Sequence, residues 1–224
     1  MKAGNVELEW LGHASFLIKT PDNKIIYIDP YQLNSDKLEK ADMILITHSH
    51  PDHCSIPDLN KIIKPNSRIV LTADCQSKIM KMNVPIKIEI AEPGNEFDFG
   101  NIRILSTSAY NINKSFHPKG ESWVGYVIKI NGTTIYHAGD TDVIPEMQKL
   151  TGHKSGSEFV ALLPIGGRFT MNVEEAFEAA KIIKPNLAIP MHWGGIVGSR
   201  EDAEEFVRLC KEKGIEAVIL EQKN

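Results

Sequence analysis

The chain has 224 residues, with 25 Lys and Arg against 29 Asp and Glu, which gives a formal net charge of −4. Hydrophobic residues make up 42% and charged residues 24%, a globular composition that excludes collagen-like, low-complexity and disordered chains. The mildly acidic balance argues against nucleic acid as a partner, because proteins that bind it present a basic face. The unusual feature of the composition is its eight histidines.

The cysteines and the apolar runs bear on the compartment. Cys54, Cys75 and Cys210 are widely spaced and form no C-x-x-C pair, so the sequence indicates neither a zinc ribbon nor a disulfide framework. Reduced cysteines are typical of a reducing compartment. The first residues lack the apolar core of a signal peptide, and no apolar run approaches the ~18 residues of a membrane span. We therefore expect a cytoplasmic protein without a membrane partner.

Short β-like runs separated by turns and helices fill the first half of the chain. Strands are predicted over residues 6–11, 15–20, 24–29, 43–47, 68–72 and 85–92, with a hairpin over 97–107. A helix is predicted after Ser55, with Asp58 as its capping-box partner, and another over 73–82.

The second half alternates in the same way. Strands are predicted over residues 123–130, 133–137, 159–163, 187–190 and 216–220, the first two joined by an Asn-Gly turn. A helix is predicted over 143–150, and two more begin at the caps Asn172 and Ser199, with Glu175 and Asp202 as capping-box partners. Both halves carry a Trp-x-Gly run leading into two strands. With no Gly-, Ser- or Pro-rich linker between them, we expect one domain over residues 1–224, built as a two-sheet sandwich with helices outside.

The strongest chemical signal is the run His48-x-His50-x-Asp52-His53, which follows an apolar strand and precedes a helix. Imidazole nitrogens and carboxylate oxygens bind divalent cations such as zinc. In an extended chain His48 and His50 point to the same side and can hold one ion. Asp52 and His53, beyond the bend at Pro51, can face a second ion beside it.

This run resembles the H-x-H-x-D-H signature of the metallo-β-lactamase superfamily, and the resemblance extends over nearly the whole chain. Gly139-Asp140 after a strand resembles the Gly-Asp element of that family, and Pro190-Met191-His192-Trp193 resembles its last histidine element. The opening Trp10-Leu11-Gly12-His13 is most similar to the branch of uncharacterised metal-dependent hydrolases related to ascorbate-phosphate lactonase. The resemblance implies an α/β (α+β) fold, a four-layer αββα sandwich of two mixed β-sheets with helices outside.

The resemblance also implies a set of ligands for two divalent ions, most simply zinc, with manganese, iron and nickel as alternatives. His48, His50 and His117 would hold one ion, Asp52, His53 and His192 the other, and Asp140 would bridge them. A hydroxide between the ions would be the nucleophile, and Asp52 would orient it and carry a proton. The third histidine ligand has an alternative, a site completed by water or by Asn111.

Other residues are expected around these ligands. Metal-bound histidines usually donate their second N–H to a carboxylate or carbonyl, and Asp29 and Asp142 are the candidates, although either aspartate is equally consistent with a turn. His13, on the first hairpin, is expected near the site. The candidates for substrate binding are Arg168 and Phe169, on a glycine-containing loop after a buried strand, and Asn111. His137 and His153 are interpreted as incidental to the site.

We expect a metal-dependent hydrolase acting on a small anionic ester, lactone or phosphodiester, since two divalent ions beside Asp52 and Asp140 leave a positive pocket. Two alternatives stay open: an iron-dependent oxidoreductase of the same fold, of the sulfur dioxygenase type, and a phosphodiesterase or nuclease acting on nucleic acid. A homo-oligomer is also left open.

Overall fold

Two β-sheets pack face to face in a computed structural model of the chain, which describes residues 1–34, 38–154 and 158–223, without the side chains of 152–154. The first sheet has seven strands in chain order, antiparallel from β1 to β4 and parallel from β4 to β7. They are β1 Lys2–Ala3, β2 Val6–Gly12, β3 Ser15–Lys19, β4 Ile25–Ile28, β5 Met43–Leu45, β6 Arg68–Leu71 and β7 Lys87–Ile90.

The second sheet has six strands in the order β13-β12-β11-β10-β9-β8, antiparallel from β8 to β11 and parallel from β11 to β13. They are β8 Glu96–Asp98, β9 Ile102–Ser108, β10 Val124–Ile130, β11 Thr133–His137, β12 Glu158–Pro164 and β13 Leu187–Met191. Both sheets are mixed, as predicted.

Within the described ranges, four α-helices cover the outer faces of the sheets. They are α1 Ile56–Ile62, α2 Gln76–Ile79, α3 Val173–Ile183 and α4 Arg200–Glu212. Leu59 and Ile62 of α1 belong to a buried cluster with Tyr27 and Ile44 of the first sheet. Helices α3 and α4 pack against β12 and β13 of the second sheet. The layers are thus helix, sheet, sheet, helix, which confirms the predicted αββα sandwich. None of the helices in the described ranges is long and apolar enough to cross a lipid bilayer.

Alternation along the strands explains how each sheet is buried on both faces. In β3, Phe16 and Ile18 point into the core between the sheets, whereas Leu17 points outward to the cluster that includes α1. Ile128 and Ile135, cross-strand partners in the second sheet, lie in the same inner core. The inner core holds the sheets together, so the strand ends that carry the polar motifs are brought to a common edge.

Three of the predicted caps are present, two of them with complete capping boxes. Asn172 accepts from the backbone of Glu175, Ser199 accepts from Asp202, and each acidic side chain accepts the cap's own N–H in return. Ser55 also caps α1, but the carboxylate of Asp58 accepts instead from the backbone N–H groups of Gln32 and Leu33.

Three predicted elements differ from the structure. Residues 73–82 form a 3-10 turn, Ala73–Cys75, followed by the single turn of α2, and residues 145–154 form a 3-10 helix rather than an α-helix. Residues 216–220 form no strand: Ala217 makes an isolated bridge to β13 and Gln222 one to Trp10 of β2. The segment crosses from one sheet to the other and so cannot extend either ladder.

Candidate metal centre

The polar motifs meet where parallel strands of both sheets end. His48 to His53 follow β5, Asp140 follows β11 and His192 follows β13. The β2–β3 turn adds His13, and the loop before β10 adds His117. All of these side chains are buried except those of His50 and Asp52, which are partly exposed. The structure therefore brings together the seven side chains predicted as metal ligands, with His13 beside them.

The first cluster consists of His48, His50 and His117. One ring nitrogen from each lies within 4.8 Å of the others, and His48 Nε2 is 3.0 Å from His50 Nδ1. The indole of Trp123 lies against all three rings, with centroids at 4.7, 4.8 and 5.5 Å, and its N–H donates to Asp74 over 2.7 Å. The packing role of Trp123 was not predicted, although its Trp-x-Gly run was noted.

The second cluster consists of His13, Asp52, His53 and His192, again within 4.8 Å of one another. Asp52 Oδ2 lies 3.0 Å from His13 Nε2, 3.6 Å from His53 Nε2 and 3.9 Å from His192 Nε2. The partly exposed carboxylate of Asp52 is the point at which this cluster meets solvent.

Asp140 lies between the two clusters. Its Oδ2 is 3.1 Å from His117 Nε2 of the first cluster and 3.1 Å from His192 Nε2 of the second. Its Oδ1 is 3.3 Å from His53 Nε2. Two imidazoles from different clusters thus face the same carboxylate oxygen, which is the arrangement expected of a shared ligand.

A buried network behind the centre sets which nitrogen of each ring faces inward. Asp29 accepts from His53 Nδ1 over 2.7 Å, and from the backbone N–H and hydroxyl of Thr47 over 2.8 and 2.6 Å. Since the Thr47 hydroxyl donates to Asp29, it accepts from His48 Nδ1, 3.0 Å away. Both rings therefore carry a proton on Nδ1 and turn Nε2 toward the centre. The role of Thr47 was missed, because nothing in its sequence context marks it.

Asn111 gives His117 the same support. Its Oδ1 lies 3.0 Å from His117 Nδ1 and accepts from the backbone N–H of His117 over 3.0 Å. The amide nitrogen donates to Asp142 Oδ1 over 3.1 Å and to the carbonyl of Phe169 over 3.0 Å. Asp142 also accepts from Lys114 over 2.7 Å. The amide of Asn111 is thus engaged within the protein, and Asp142 touches Asn111 rather than a histidine of the centre.

The electrostatics of the centre reflect its burial and its carboxylates. Burial, with repulsion from His53, lowers the pKa of His48 well below its usual range. Burial also opposes a charge on His53, but Asp140, Asp29 and Asp52 together raise its pKa well above the usual range. Despite burial, the neighbouring histidines hold the pKa of Asp140 well below its usual range, and His53 and His13 do the same for Asp52. Both carboxylates are therefore ionised at neutral pH.

Several atoms of the centre suit a cation. His53 Nε2, His117 Nε2, His192 Nε2 and Asp140 Oδ1 are buried, and none makes a hydrogen bond within the described residues. Buried polar atoms normally have partners. Imidazole nitrogens that converge on a carboxylate with no hydrogen bond form a donor set suited to zinc and other first-row divalent ions. The residues present fit the metal that the sequence pattern predicts.

The remaining predicted residues lie outside this donor set. Phe169 is half-buried and its carbonyl lies 3.2 Å from His117 Nδ1, whereas Arg168 is exposed, with its guanidinium 5.1 Å from the Phe169 ring centroid. His137 is buried in β11, where its Nε2 donates to the carbonyl of Ala14 over 2.8 Å, in keeping with a packing role. The side chain of His153 lies outside the described part of the chain.

Comparison with known proteins places this architecture in a family. Residues 7–192 match the family described as Beta-lactamase superfamily domain. A UPF0173 metal-dependent hydrolase of Thermoplasma acidophilum is 36% identical over 228 residues, which cover 97% of this chain and 96% of that protein.

Two solved structures are similar over nearly their full length. A protein of Parabacteroides distasonis, named for its proposed metal-dependent hydrolase activity, has a TM-score of 0.83 at 29% identity. The match covers 97% of this chain and 94% of that protein. Igni18, a metallo hydrolase of Ignicoccus hospitalis, has a TM-score of 0.77 at 25% identity, and the match covers 98% of this chain and 96% of Igni18. The fold and the histidine-rich centre define a metal-binding αββα protein. The chain belongs to the beta-lactamase superfamily.

Proposed function

We propose that this chain is a hydrolase that uses two divalent metal ions, most simply zinc. His48, His50 and His117 would hold one ion, and Asp52, His53 and His192 would hold the other. The observation that carries the proposal is the position of Asp140, whose Oδ2 is 3.1 Å from a histidine nitrogen of each cluster. One carboxylate in contact with both clusters is suited to bridging two ions.

The chemistry divides between the ions and the side chains. Bound divalent ions act as Lewis acids and lower the pKa of bound water from ~15.7 to about 7. Asp52 is ionised and partly exposed, with 19% of its side chain accessible, so it can accept a proton from attacking water and pass it to the leaving group. Asp29 and Asn111 hold the histidine rings in place. We assign Asn111 to this supporting role rather than to substrate, because both of its amide groups are already bonded.

A small anionic ester, lactone or phosphodiester is the proposed substrate class. A cavity of about 240 Å³ adjoins the second cluster and is lined by His13, Trp193, Tyr31 and Gln32 among others, which suits a small molecule. Arg168 lies outside the lining of this cavity, next to Phe169, whose carbonyl is 3.2 Å from His117 Nδ1 of the first cluster. Arg168 is the proposed anion contact, and Phe169 would cover the ligand. Within the described ranges, Arg168 pairs with no carboxylate, whereas Lys114 and Lys119 are neutralised by acidic neighbours. An unpaired guanidinium near the centre favours a negative ligand.

The test is the metal content of protein purified without added metal, measured by elemental analysis beside activity. We expect two zinc or manganese ions per chain and hydrolysis of bis(p-nitrophenyl) phosphate or of a simple lactone. Asp140→Asn is the matched variant, since it keeps the side-chain volume but removes the charge that both clusters share.

The outcomes separate the alternatives. One iron per chain with oxygen uptake on a sulfur substrate would replace the hydrolase by an oxidoreductase. Cleavage of RNA or DNA in preference to small phosphodiesters would indicate a nuclease. A full complement of metal in Asp140→Asn would contradict the shared-ligand assignment.

A further inference from the structure

His13 is built into the second cluster through its backbone. It lies in the β2–β3 turn with a positive φ of 51°, and its side chain is buried. The carbonyl of His13 accepts from the indole N–H of Trp10 over 2.9 Å and from the backbone N–H of His192 over 2.9 Å. Trp10 in turn stacks on Trp193, with ring centroids 4.7 Å apart. Two hydrogen bonds and a pair of stacked indoles therefore connect this turn to the loop that carries His192.

The imidazole of His13 makes one hydrogen bond, and it points at Asp52. Nε2 lies 3.0 Å from Asp52 Oδ2, whereas Nδ1 is buried and has no hydrogen-bond partner among the described residues. An ionised carboxylate can only accept, so the proton of the neutral ring is on Nε2. The lone pair is then on Nδ1, where an unpaired acceptor is buried.

This arrangement separates the Nε2 of His13 from the ligating nitrogens around it. A ligating nitrogen must offer its lone pair, but the Nε2 of His13 uses its proton to bond Asp52. His192 and His53 instead turn Nε2 toward Asp140, over 3.1 and 3.3 Å. The ring of His13 packs against that of His192, with centroids 3.9 Å apart. His13 thus lies beside the ligand His192, and its Nε2 faces Asp52 rather than Asp140.

Asp52 depends on this contact. Within the described part of the chain, the bond from His13 is the only hydrogen bond to the Asp52 side chain. Each carboxylate oxygen has room for two partners, so Oδ2 can accept this proton and still face an ion. Without the bond, a partly exposed aspartate is free to rotate away from His53 and His192.

We infer that His13 is a positioning residue for Asp52: it donates from Nε2 to Oδ2 and holds this carboxylate toward the second cluster, without binding an ion itself. The inference rests on the proposed two-ion centre. It adds the β2–β3 turn to the machinery of the site and explains why a histidine occupies a strained turn position. Loss of such outer hydrogen bonds typically weakens metal binding or activity by about 10- to 100-fold.

The experiment compares three substitutions of His13 in the full-length protein stripped of metal. In His13→Gln the side-chain amide reaches the place of Nε2 and can donate to Asp52, but it is a poor ligand. His13→Asn stops short of Asp52 and tolerates a positive φ, and His13→Ala removes the group. Each protein is titrated with Co²⁺ by calorimetry and by visible absorption, and kcat and KM are measured with bis(p-nitrophenyl) phosphate.

We expect two Co²⁺ per chain in every variant. The weaker binding step and kcat should fall by about 10- to 100-fold in His13→Asn and His13→Ala, with little change in KM. His13→Gln should restore both to near the unmodified protein. His13→Asn carries the test if His13→Ala does not fold.

Two results would overturn the inference. One fewer Co²⁺ in His13→Gln would make His13 a ligand, and unchanged Co²⁺ binding and kcat in His13→Asn would leave it a packing residue. If the unmodified protein itself binds no Co²⁺, the proposed function fails instead, so the two failures are distinguishable.

Discussion

Asp29 Oδ2 lies 2.7 Å from His53 Nδ1, and both side chains are completely buried. The same carboxylate accepts both donors of Thr47, so the end of β4 holds the start of the histidine motif after β5. Asp29 does so at a positive φ of 43°, a conformation that aspartate and asparagine tolerate better than most residues. A single buried aspartate therefore orients two of the histidines in the centre.

Asp29→Asn should weaken metal binding and destabilise the fold. Asparagine fits the volume and the backbone, but its NH2 group must face one of the three donors that Asp29 now accepts. We expect metal affinity to fall by about 10- to 100-fold and the free energy of unfolding to fall by about 1–3 kcal/mol. Calorimetric titration with Zn²⁺ and thermal unfolding measure the two effects. Asp22→Asn, on the exposed turn before β4, is the control, and equal behaviour of the two variants would contradict the role of Asp29.

Asn111→Ala should affect the first cluster selectively. The substitution removes the nearer acceptor of His117 Nδ1–H, and it also removes the amide that holds the second acceptor, the carbonyl of Phe169, so the ring is less firmly oriented. We expect one of the two metal-binding steps to weaken by about 10- to 100-fold, while the other is kept. Asn113→Ala is the matched control because Asn113 is exposed two residues further along the same loop. Two unchanged binding steps in Asn111→Ala would show that His117 needs no such support.

Asp52→Asn should separate turnover from metal content. The amide oxygen can still accept from His13 and face an ion, but an amide cannot take up a proton. We expect kcat for bis(p-nitrophenyl) phosphate to fall by about 10²- to 10⁴-fold, the range of a general acid–base group, with most of the metal retained. Elemental analysis beside steady-state kinetics makes the comparison. Full activity in this variant would remove Asp52 from the proton transfer.

Local signals predicted most of the fold. The boxes at Asn172 and Ser199 were found because a cap and its partner lie three residues apart, and most strands were found because they are short apolar runs bounded by turns. The strand predicted over residues 216–220 was wrong, because the path of this segment depends on Ala217 and Gln222 contacting different sheets. No local pattern encodes such a crossing.

In the candidate site, too, residues adjacent in the chain were predicted, whereas those that meet only through the fold were not. The run from His48 to His53 is visible because its residues are adjacent in the chain. Thr47 and Trp123 were missed because their contacts with the histidine rings arise through space. Asn111 was weighed against His117 as alternatives for one ligand position, whereas the structure places Asn111 directly behind His117. Which of two nearby polar residues faces the centre depends on the loop path, which spacing alone does not determine.

Gly139→Ala should destabilise the protein through the residue next to Asp140. A Cβ at this position would lie 2.7 Å from the carbonyl oxygen of Val124, and the backbone has a φ of +65°. A non-glycine residue in this region costs about 1–3 kcal/mol, and each kcal/mol lowers Tm by about 2–4 °C in a chain of this size. Gly120→Ala is the control, since a Cβ there meets nothing within 4 Å. Equal Tm values for the two variants would contradict the close approach of β10 to the Asp140 loop.

Arg168→Met should separate anionic from neutral substrates. Methionine keeps the packing on Phe169 but removes the charge, so KM for bis(p-nitrophenyl) phosphate should rise about fivefold, given about 1 kcal/mol for an exposed ion pair. KM for the neutral ester p-nitrophenyl acetate should not change. Lys119→Met is the matched control, because Lys119 is exposed but already paired with Glu146. The difference between the substrates should shrink as salt is raised, since ions screen exposed charges. Equal changes for both substrates, or a larger effect of Lys119→Met, would rule out Arg168 as the residue that selects an anion.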